Sequence, residues 1–407
     1  MRSRYRLLSV FATLLLLGAP ALQAQTVQRA AAPAASAQKP QSTNDRIREE
    51  WKARLNENVL TLISGNPNGG YLGIAYDIAA VVNNGEELRV LPVVGEGAVQ
   101  NLRDILFLKG VDMGLVNTVT LRHFKDNGEL GTNLQNQITY ISMLFQDELH
   151  VLARPEINSF KDLEGKRVNF SDKGSGAQLA SQKIFAALGM NVKEYNMGQG
   201  DAIEMMKRGE LDATMCTCLK PLKPHQGVPA NLGFKLIPVA YDAKFQDDYL
   251  PARLGHDDYP NLVPEGTVVN TIAVPTLLAV YNWPKGTDRY RRIEKFIHAF
   301  FSKFEAFKKP PRHPRWKSVN IAGTLPGWTR FPAAQEWLDT NIKAAAQAPR
   351  AATMDTSGLL NDKTKAAFED FLAQYASTTG SKVLPPEQRD ALYAQFTKWW
   401  ATQQPRR

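Results

Sequence analysis

The sequence predicts an α/β protein built from two similar halves. An apolar run at residues 59–63 leads through a loop rich in glycine and asparagine, residues 64–70, into a pattern of helical period. The same order of strand, small-residue loop and helix recurs at residues 167–188. Strands that alternate with helices pair mainly in parallel, and 407 residues exceed one ordinary hydrophobic core. We therefore expect two α/β domains.

The N-terminus has the pattern of a secretory signal peptide. Three arginines precede an almost wholly apolar stretch, residues 7–18, and small residues follow around Ala21 and Ala24. The apolar stretch is shorter than the roughly 20 residues of a membrane helix, so cleavage is preferred over a retained anchor. We assign residues 1–25 to the signal peptide, and residues 26–57 to a low-complexity tether with a short helix.

Charge and cysteine content argue against two classes of function. Of the formal net charge of +9, three charges belong to arginines of the signal peptide, which leaves +6 on a chain whose basic residues are scattered. Nucleic-acid binding requires a clustered basic face and is not expected. A disulfide between Cys216 and Cys218, which are one residue apart, would be strained, so we expect two buried thiols. With only His225 nearby, no metal site is expected.

The strand and helix signals divide the rest of the chain into two lobes and an extension. Lobe 1 comprises residues 58–148 and takes back residues 267–308, lobe 2 comprises residues 149–266, and residues 309–407 form a helical C-terminal extension. Among the predicted elements are strands at 149–153 and 268–275, and helices at 289–307, 333–346, 363–375 and 387–400.

Two loops form the candidate binding site. In open α/β sheets, ligands bind beyond the carboxyl ends of the strands, where helices begin with unpaired backbone N–H groups. The loop of residues 64–70 supplies such groups together with the amides of Asn66 and Asn68, and the loop of residues 171–176 supplies two hydroxyls and Lys173. Facing each other across a cleft, these loops would bind an anion. Either loop taken alone is also compatible with an ordinary connection between a strand and a helix.

No catalytic constellation is found in the sequence. A dinucleotide-binding motif would need glycine where Pro67 stands, and a nucleophile elbow around Ser175 would need glycine at positions 173 and 177. The six histidines lie apart, with no acid at metal-ligand spacing. We therefore expect a binding protein without catalytic residues, metal ligands or cofactor.

Four short motifs follow one another along the two lobes, at residues 68–72 (Asn-Gly-Gly-Tyr-Leu), 94–102, 162–168 and 174–176 (Gly-Ser-Gly). In this order they resemble the TAXI-type solute receptors of tripartite ATP-independent periplasmic (TRAP) transporters. Members typically carry Gly-Gly-x-Tyr-Tyr, Thr-x-Gly-Ser-x-x-Asn-Leu, Asp-Leu-Lys-Gly-Lys-x-Val and a Gly-Ser-Gly loop. The resemblance covers roughly residues 58–308, and the order of the motifs is more specific than any one of them.

The resemblance implies a type II periplasmic-binding fold, in which two lobes joined by crossover strands surround a ligand cleft and close on a solute. It implies a periplasmic protein whose partners are a small-molecule solute and the membrane subunits of a TRAP transporter, and we expect a monomer. Family ligands are small carboxylates such as glutamate, so a small, anionic solute of carboxylate or amino-acid type is expected. The alternatives are a receptor for an ABC importer or for a sensor kinase.

The candidate ligand-binding residues come from both loops, from the hinge side of the cleft and from a strand of lobe 2. They are Asn66, Asn68, Gly69, Gly70, Tyr71, Asn101, Asn117, Thr118, Ser171, Lys173, Gly174, Ser175, Gly176, Gln178, Cys218 and Lys220. The chain also departs from the family pattern. Ala98 stands where the family usually has serine, and Ala177 stands where threonine often follows the loop. The identity of the solute is therefore not transferred from the family.

Overall fold

The structure is a computed structural model, and the residues it describes are 42–67, 69–85, 87–241 and 243–347. The expected signal peptide, residues 26–41 of the expected tether, Asn68 and the last two predicted helices lie outside these residues. By compactness the chain divides after Trp51, and the sheet and the cleft lie in the second unit.

Ten strands form one sheet within the described residues. In chain order they are β1 (Val59–Ile63), β2 (Arg89–Val93), β3 (Met113–Asn117), β4 (Ile138–Ala153), β5 (Arg167–Asn169), β6 (Lys193–Tyr195), β7 (Ala213–Cys218), β8 (Lys235–Leu236), β9 (Leu250–Gly255) and β10 (Val268–Tyr281). The path through the sheet is β2-β1-β3-β10-β4-β7-β5-β6, while β8 pairs with β4 and β9 pairs with β10.

The helices lie between these strands and after them. They are α1 (Thr43–Glu57), α2 (Gly70–Val82), α3 (Ala98–Phe107), α4 (Thr118–Asn127), α5 (Leu134–Gln137), α6 (Gly176–Leu188), α7 (Gln199–Lys207), α8 (Lys223–Gln226), α9 (Asp288–Ser302), α10 (Phe304–Phe307) and α11 (Pro332–Gln347). Short 3-10 segments occupy Phe160–Leu163, Ala230–Leu232, Ala243–Phe245 and Pro314–Ser318. The helix predicted at 289–307 is thus interrupted at Lys303. No helix of the described residues is both long and apolar enough to span a membrane.

Each lobe carries a small parallel sheet. In lobe 1, β1 pairs in parallel with β2 and with β3, and in lobe 2, β5 pairs in parallel with β6 and with β7. Helices α2, α3, α6 and α7 make the connections between these strands, as parallel pairing requires. The predicted α/β class with two similar halves is confirmed.

Two long strands, β4 and β10, join the lobes and are called the crossover strands below. They are antiparallel to each other, and β10 also pairs with β3 of lobe 1 and with β9. The second half of β4 pairs with β7 of lobe 2. The sheet therefore passes without a break from one lobe to the other, which is the type II arrangement that the resemblance implied.

Both crossover strands are longer than the strands predicted at 149–153 and 268–275. All but two of the sixteen residues of β4 are buried, so the alternation of polar and apolar residues that marks a half-exposed strand is missing. The buried Asp147 and Glu148 also interrupt its apolar run. Strand β10 continues through Pro275, where its pairing with β4 is irregular.

The first part of the C-terminal extension packs on lobe 1. Trp316 is fully buried, and its ring lies 6.1 Å from that of Phe300 and 4.5 Å from that of Phe307. Its Nε1 donates to Oδ2 of Asp77 in α2 at 2.9 Å. Further along, the Arg330 guanidinium donates to four backbone carbonyl oxygens. This part of the extension therefore belongs to the core of lobe 1.

Cys216 and Cys218 form a disulfide, which corrects the expectation of two buried thiols. Both cysteines lie in β7, where side chains two residues apart point to the same face of the sheet. Their Cα atoms are 5.5 Å apart, within the range that a disulfide spans. The extended backbone of β7 therefore makes the bridge possible despite the short separation in sequence.

Candidate functional site

A cavity lies between the two lobes, at the carboxyl ends of their parallel strands. About 570 Å³ in and around it is free of protein atoms, and part of this space opens to solvent. Its lining consists of Gly65, Asn66, Gly69, Gly70, Tyr71, Glu96, Gly97, Ala98, Asn117, Ser171, Asp172, Ser175, Gly176, Ala177, Gln199, Thr217, Cys218 and Leu219. The position agrees with the rule that ligands of open α/β sheets bind beyond these strand ends.

The structure brings many of the predicted site residues together and leaves others apart. Those that line the cavity are Asn66, Gly69, Gly70, Tyr71, Asn117, Ser171, Ser175, Gly176 and Cys218. Those described but absent from the lining are Asn101, Thr118, Lys173, Gly174, Gln178 and Lys220. Asn68 lies outside the described residues.

Two of the residues absent from the cavity lining, Asn101 and Lys220, bond to other parts of the protein. The Asn101 Nδ2 donates to the backbone oxygens of Ser64 and Leu115 and so ties the ends of β1 and β3 together. The Lys220 Nζ forms an ion pair with Asp258 at 3.0 Å. Both side chains therefore bond within the protein and lie outside the cavity lining.

The loop before α6 also differs from the prediction. Gln178 accepts from the Gly174 backbone N–H at 2.8 Å and donates to Glu194 at 2.8 Å, so it stabilises lobe 2 internally. Thr118 begins α4. Lys173 is exposed. It lies outside the cavity lining, so the attraction of its side chain to an anion in the cavity would be screened by water and salt.

Lys173→Ala is accordingly expected to bind solute with an affinity within about twofold of the unchanged protein. Isothermal titration of both proteins at low and high salt measures this. A loss of tenfold or more, reduced by salt, would restore Lys173 to the site.

The sequence reasoning missed half of the lining. The missed residues are Gly65, Glu96, Gly97, Ala98, Asp172, Ala177, Gln199, Thr217 and Leu219. A usable signal existed for Gln199, which follows Gly198 and begins α7 in the same way as the predicted loops begin their helices. Glu96 and Asp172 lie inside turns that the prediction identified, but their direction depends on the tertiary fold.

The lobes touch around the cavity, so this is a closed cleft. The Asn66 Nδ2 of lobe 1 donates to Oδ2 of Asp172 in lobe 2 at 2.7 Å. A Cβ atom added to Gly176 would lie 2.8 Å from the Ala98 Cβ and 2.5 Å from the Asn117 Nδ2, which belong to the other lobe. Glycine at position 176 is therefore required for this approach of the two lobes.

Four helices, α2, α3, α6 and α7, begin at the cavity, two from each lobe. Their first residues, Gly70, Ala98, Gly176 and Gln199, all belong to the lining. No side chain of the described residues caps the N-terminus of α2, α3 or α7. Backbone N–H groups in the first turn of a helix lack intrahelical acceptors, so the cavity is rich in donors for a solute acceptor group.

Among the described residues, the charged side chains that line the cavity are acidic. They are Glu96 and Asp172, and this described lining contains no lysine, arginine or histidine. The Thr217 hydroxyl, on a residue only 7% exposed, has no hydrogen-bond partner among the described residues. The cavity therefore offers backbone donors, two carboxylate acceptors and a hydroxyl in need of a partner.

Two buried polar side chains, those of Thr214 and His225, hold the Gln199 side chain in place. Its Oε1 accepts from the Thr214 hydroxyl at 2.9 Å and lies 3.2 Å from Nε2 of His225. Burial lowers the pKa of His225 well below its ordinary value, and lowers the pKa of neighbouring His150 to about 4. Both imidazoles are therefore neutral at pH 7. The described residues contain no group of three or more histidine, cysteine or acidic side chains suited to a metal.

Comparison with known proteins gives both a family match and similar folds. The model of the NMT1-like family matches residues 63–285, more than half of the chain. A structure titled as a periplasmic transporter shares 13% identity at a TM-score of 0.42, covering 72% of this chain and 97% of its own. A TRAP periplasmic solute-binding protein from Citrobacter koseri with bound D-glucuronate shares 12% identity at a TM-score of 0.35, covering 72% and 100%. The BenM effector-binding domain with benzoate shares 13% identity at a TM-score of 0.36, covering 63% and 96%.

Proposed function

The chain belongs to the NMT1-like family, and we propose on that basis that it is a periplasmic solute-binding protein whose two lobes close on a small polar solute. The observation that carries the proposal is the cavity between the lobes, where four helices begin and where Asn66 reaches across to Asp172. The expected signal peptide supports a periplasmic location.

We propose that the solute is of the amino-acid type. An acceptor group such as a carboxylate would accept from the uncapped helix starts, and a protonated amine would face Glu96 and Asp172. A solute with negative charge alone would meet these two carboxylates, and the described lining has no basic side chain to offset them. The amino-acid alternative therefore fits the lining better than the simple carboxylate.

We further propose that the protein is a TAXI-type receptor, a monomer that delivers its solute to the membrane subunits of a TRAP transporter. The series of motifs described above supports this assignment. A gene for such a membrane subunit beside the gene for this protein would favour it. A neighbouring ABC permease or sensor kinase would favour the alternatives.

A thermal-shift screen with matched pairs tests the proposed solute. Each α-amino acid is compared with the carboxylic acid of the same skeleton that lacks the amine. We expect a shift only with amino acids, because binding to the folded state stabilises it by about 2.7 kcal/mol at a hundredfold excess over Kd.

Glu96→Gln and Asp172→Asn are expected to weaken binding by about tenfold or more, since each removes a charge-assisted contact.

Equal shifts with the amine-free acids, or unchanged affinity in both variants, would contradict the amino-acid assignment.

We also propose that the protein does not convert its solute. Mass spectrometry after prolonged incubation is expected to recover the solute unaltered, and a new product would identify an enzyme.

A further inference from the structure

Asp147 connects the cavity wall to both crossover strands. It lies in β4, and its Oδ2 accepts from the Tyr71 hydroxyl at 2.6 Å and from the Thr276 hydroxyl at 2.6 Å. Tyr71 belongs to α2 and lines the cavity, whereas Thr276 belongs to β10. The Asp147 Oδ2 therefore links Tyr71, on the cavity wall, to both crossover strands, about which the lobes would turn.

The surroundings of Asp147 are unusual for a carboxylate. The residue is only 1% exposed, and its Oδ1 has no hydrogen-bond partner among the described residues. A buried ionised oxygen without a partner is costly. In agreement with this, burial raises the pKa of Asp147 to about 6, although the Thr276 and Tyr71 hydroxyls act in the opposite direction.

The partners of Asp147 lie where the crossover strands are irregular. Pairing between β10 and β4 shifts register between Pro275 and Leu277, the two neighbours of Thr276, while Thr276 itself pairs with Asn117 of β3. Rotation of one lobe about these strands would act directly on the contact between Asp147 and Thr276.

We infer that Asp147 is a positioning residue of the cleft, through which the crossover strands hold the Tyr71 hydroxyl at its place on the cavity wall. This role rests on the proposed function, because it concerns the binding of a solute. Asp147 itself does not line the cavity.

Asp147 and Tyr71 are expected to act together on the affinity for solute. Asparagine at position 147 removes the charge that accepts from the Tyr71 hydroxyl, and phenylalanine at position 71 removes the hydroxyl itself. If Asp147 acts through Tyr71, Asp147→Asn is expected to lower the affinity in the unchanged protein but not in Tyr71→Phe.

Glu148, beside Asp147 on β4, offers a matched control. It is also a buried carboxyl group, 3% exposed, and its Oε2 has no hydrogen-bond partner among the described residues. Its Oε1 pairs with the Arg315 Nη2 at 2.8 Å, whereas the Tyr71 hydroxyl donates to Asp147. Glu148→Gln is therefore the matched control for Asp147→Asn.

The first test uses the α-amino acid that gives the largest thermal shift. Isothermal titration at pH 8 is expected to show binding weaker by about fivefold or more in Asp147→Asn and in Tyr71→Phe, and no further loss in the double variant. Glu148→Gln is expected to bind within about twofold of the unchanged protein. A full additional loss from Asp147→Asn in the Tyr71→Phe background would overturn the inference while leaving the solute-binding function intact.

Tyr71→Phe keeps the inference testable if Asp147→Asn does not fold. It removes the hydroxyl that Asp147 holds at the cavity wall, so binding is expected to weaken by about fivefold or more. Unchanged affinity in Tyr71→Phe would count against the role of Asp147.

A second test needs no solute and so separates this inference from the proposed function. A double-mutant cycle of Tyr71→Phe and Asp147→Asn is measured by urea denaturation of the solute-free protein at pH 8. We expect coupling by a factor of about three or more in the unfolding constant. Such coupling would support the positioning contact even if no amino acid bound, and additive effects would refute it.

Discussion

Gly176→Ala is expected to weaken solute binding by about fivefold to over a hundredfold. Its new Cβ would lie 2.8 Å from the Ala98 Cβ and 2.5 Å from the Asn117 Nδ2, both in the opposite lobe. Asn117 is not free to move, because its side chain accepts from the Thr120 N–H and caps α4. Overpacking of this kind costs about 1–3 kcal/mol, which acts on the closed form alone.

Gly200→Ala is the matched control for this substitution. Both glycines lie in the first turn of a helix in lobe 2, and neither has a positive φ. A Cβ at position 200 would meet nothing within 4 Å. Titration of both variants with the screened amino acid gives the affinities, and small-angle scattering with saturating solute reports closure. Equal affinities in the two variants would show that the cleft does not close through this contact.

Trp316→Ala is expected to lower the free energy of unfolding by about 3–5 kcal/mol, measured by urea denaturation. The substitution leaves a cavity among the rings of Phe145, Phe300 and Phe307. It also removes the indole donor to Asp77. Trp316→Phe, which loses that donor but keeps most of the ring volume, is expected to cost less.

Tyr76→Ala provides the control on the same lobe. This side chain is 60% exposed, so its removal is expected to change the unfolding free energy by no more than about 0.5 kcal/mol. If Trp316→Ala proved as mild as Tyr76→Ala, the first part of the C-terminal extension would not belong to the core of lobe 1.

Several features were predictable because their signals lie in neighbouring residues. The loops at 64–70 and 171–176 carry glycine and polar side chains that favour turns and helix starts, and α2 and α6 begin where the sequence indicated. The repeat of this order in each half was sufficient to predict two α/β lobes. The local pattern likewise indicated that Gly70, Tyr71 and Ser175 lie near one another, in two loops that face one cleft.

The tertiary structure alone decided which side chains of those loops reach the cavity. Asn66 and Asp172 are 106 residues apart, and the direction of each side chain depends on how the lobes meet. Lys173, one residue from Asp172, lies in water instead. No local pattern distinguishes these two neighbours, because both are polar loop residues.

The crossover strands and the disulfide were likewise decided by long-range contacts. Strand β4 is buried along almost its whole length, so it lacks the alternation from which a strand is recognised. Cys216 and Cys218 can bridge because pairing in the sheet keeps β7 extended. Sequence patterns thus determined the local elements and the order of the loops. The burial, direction and approach of individual side chains arose from pairings between distant parts of the chain, which local propensity does not encode.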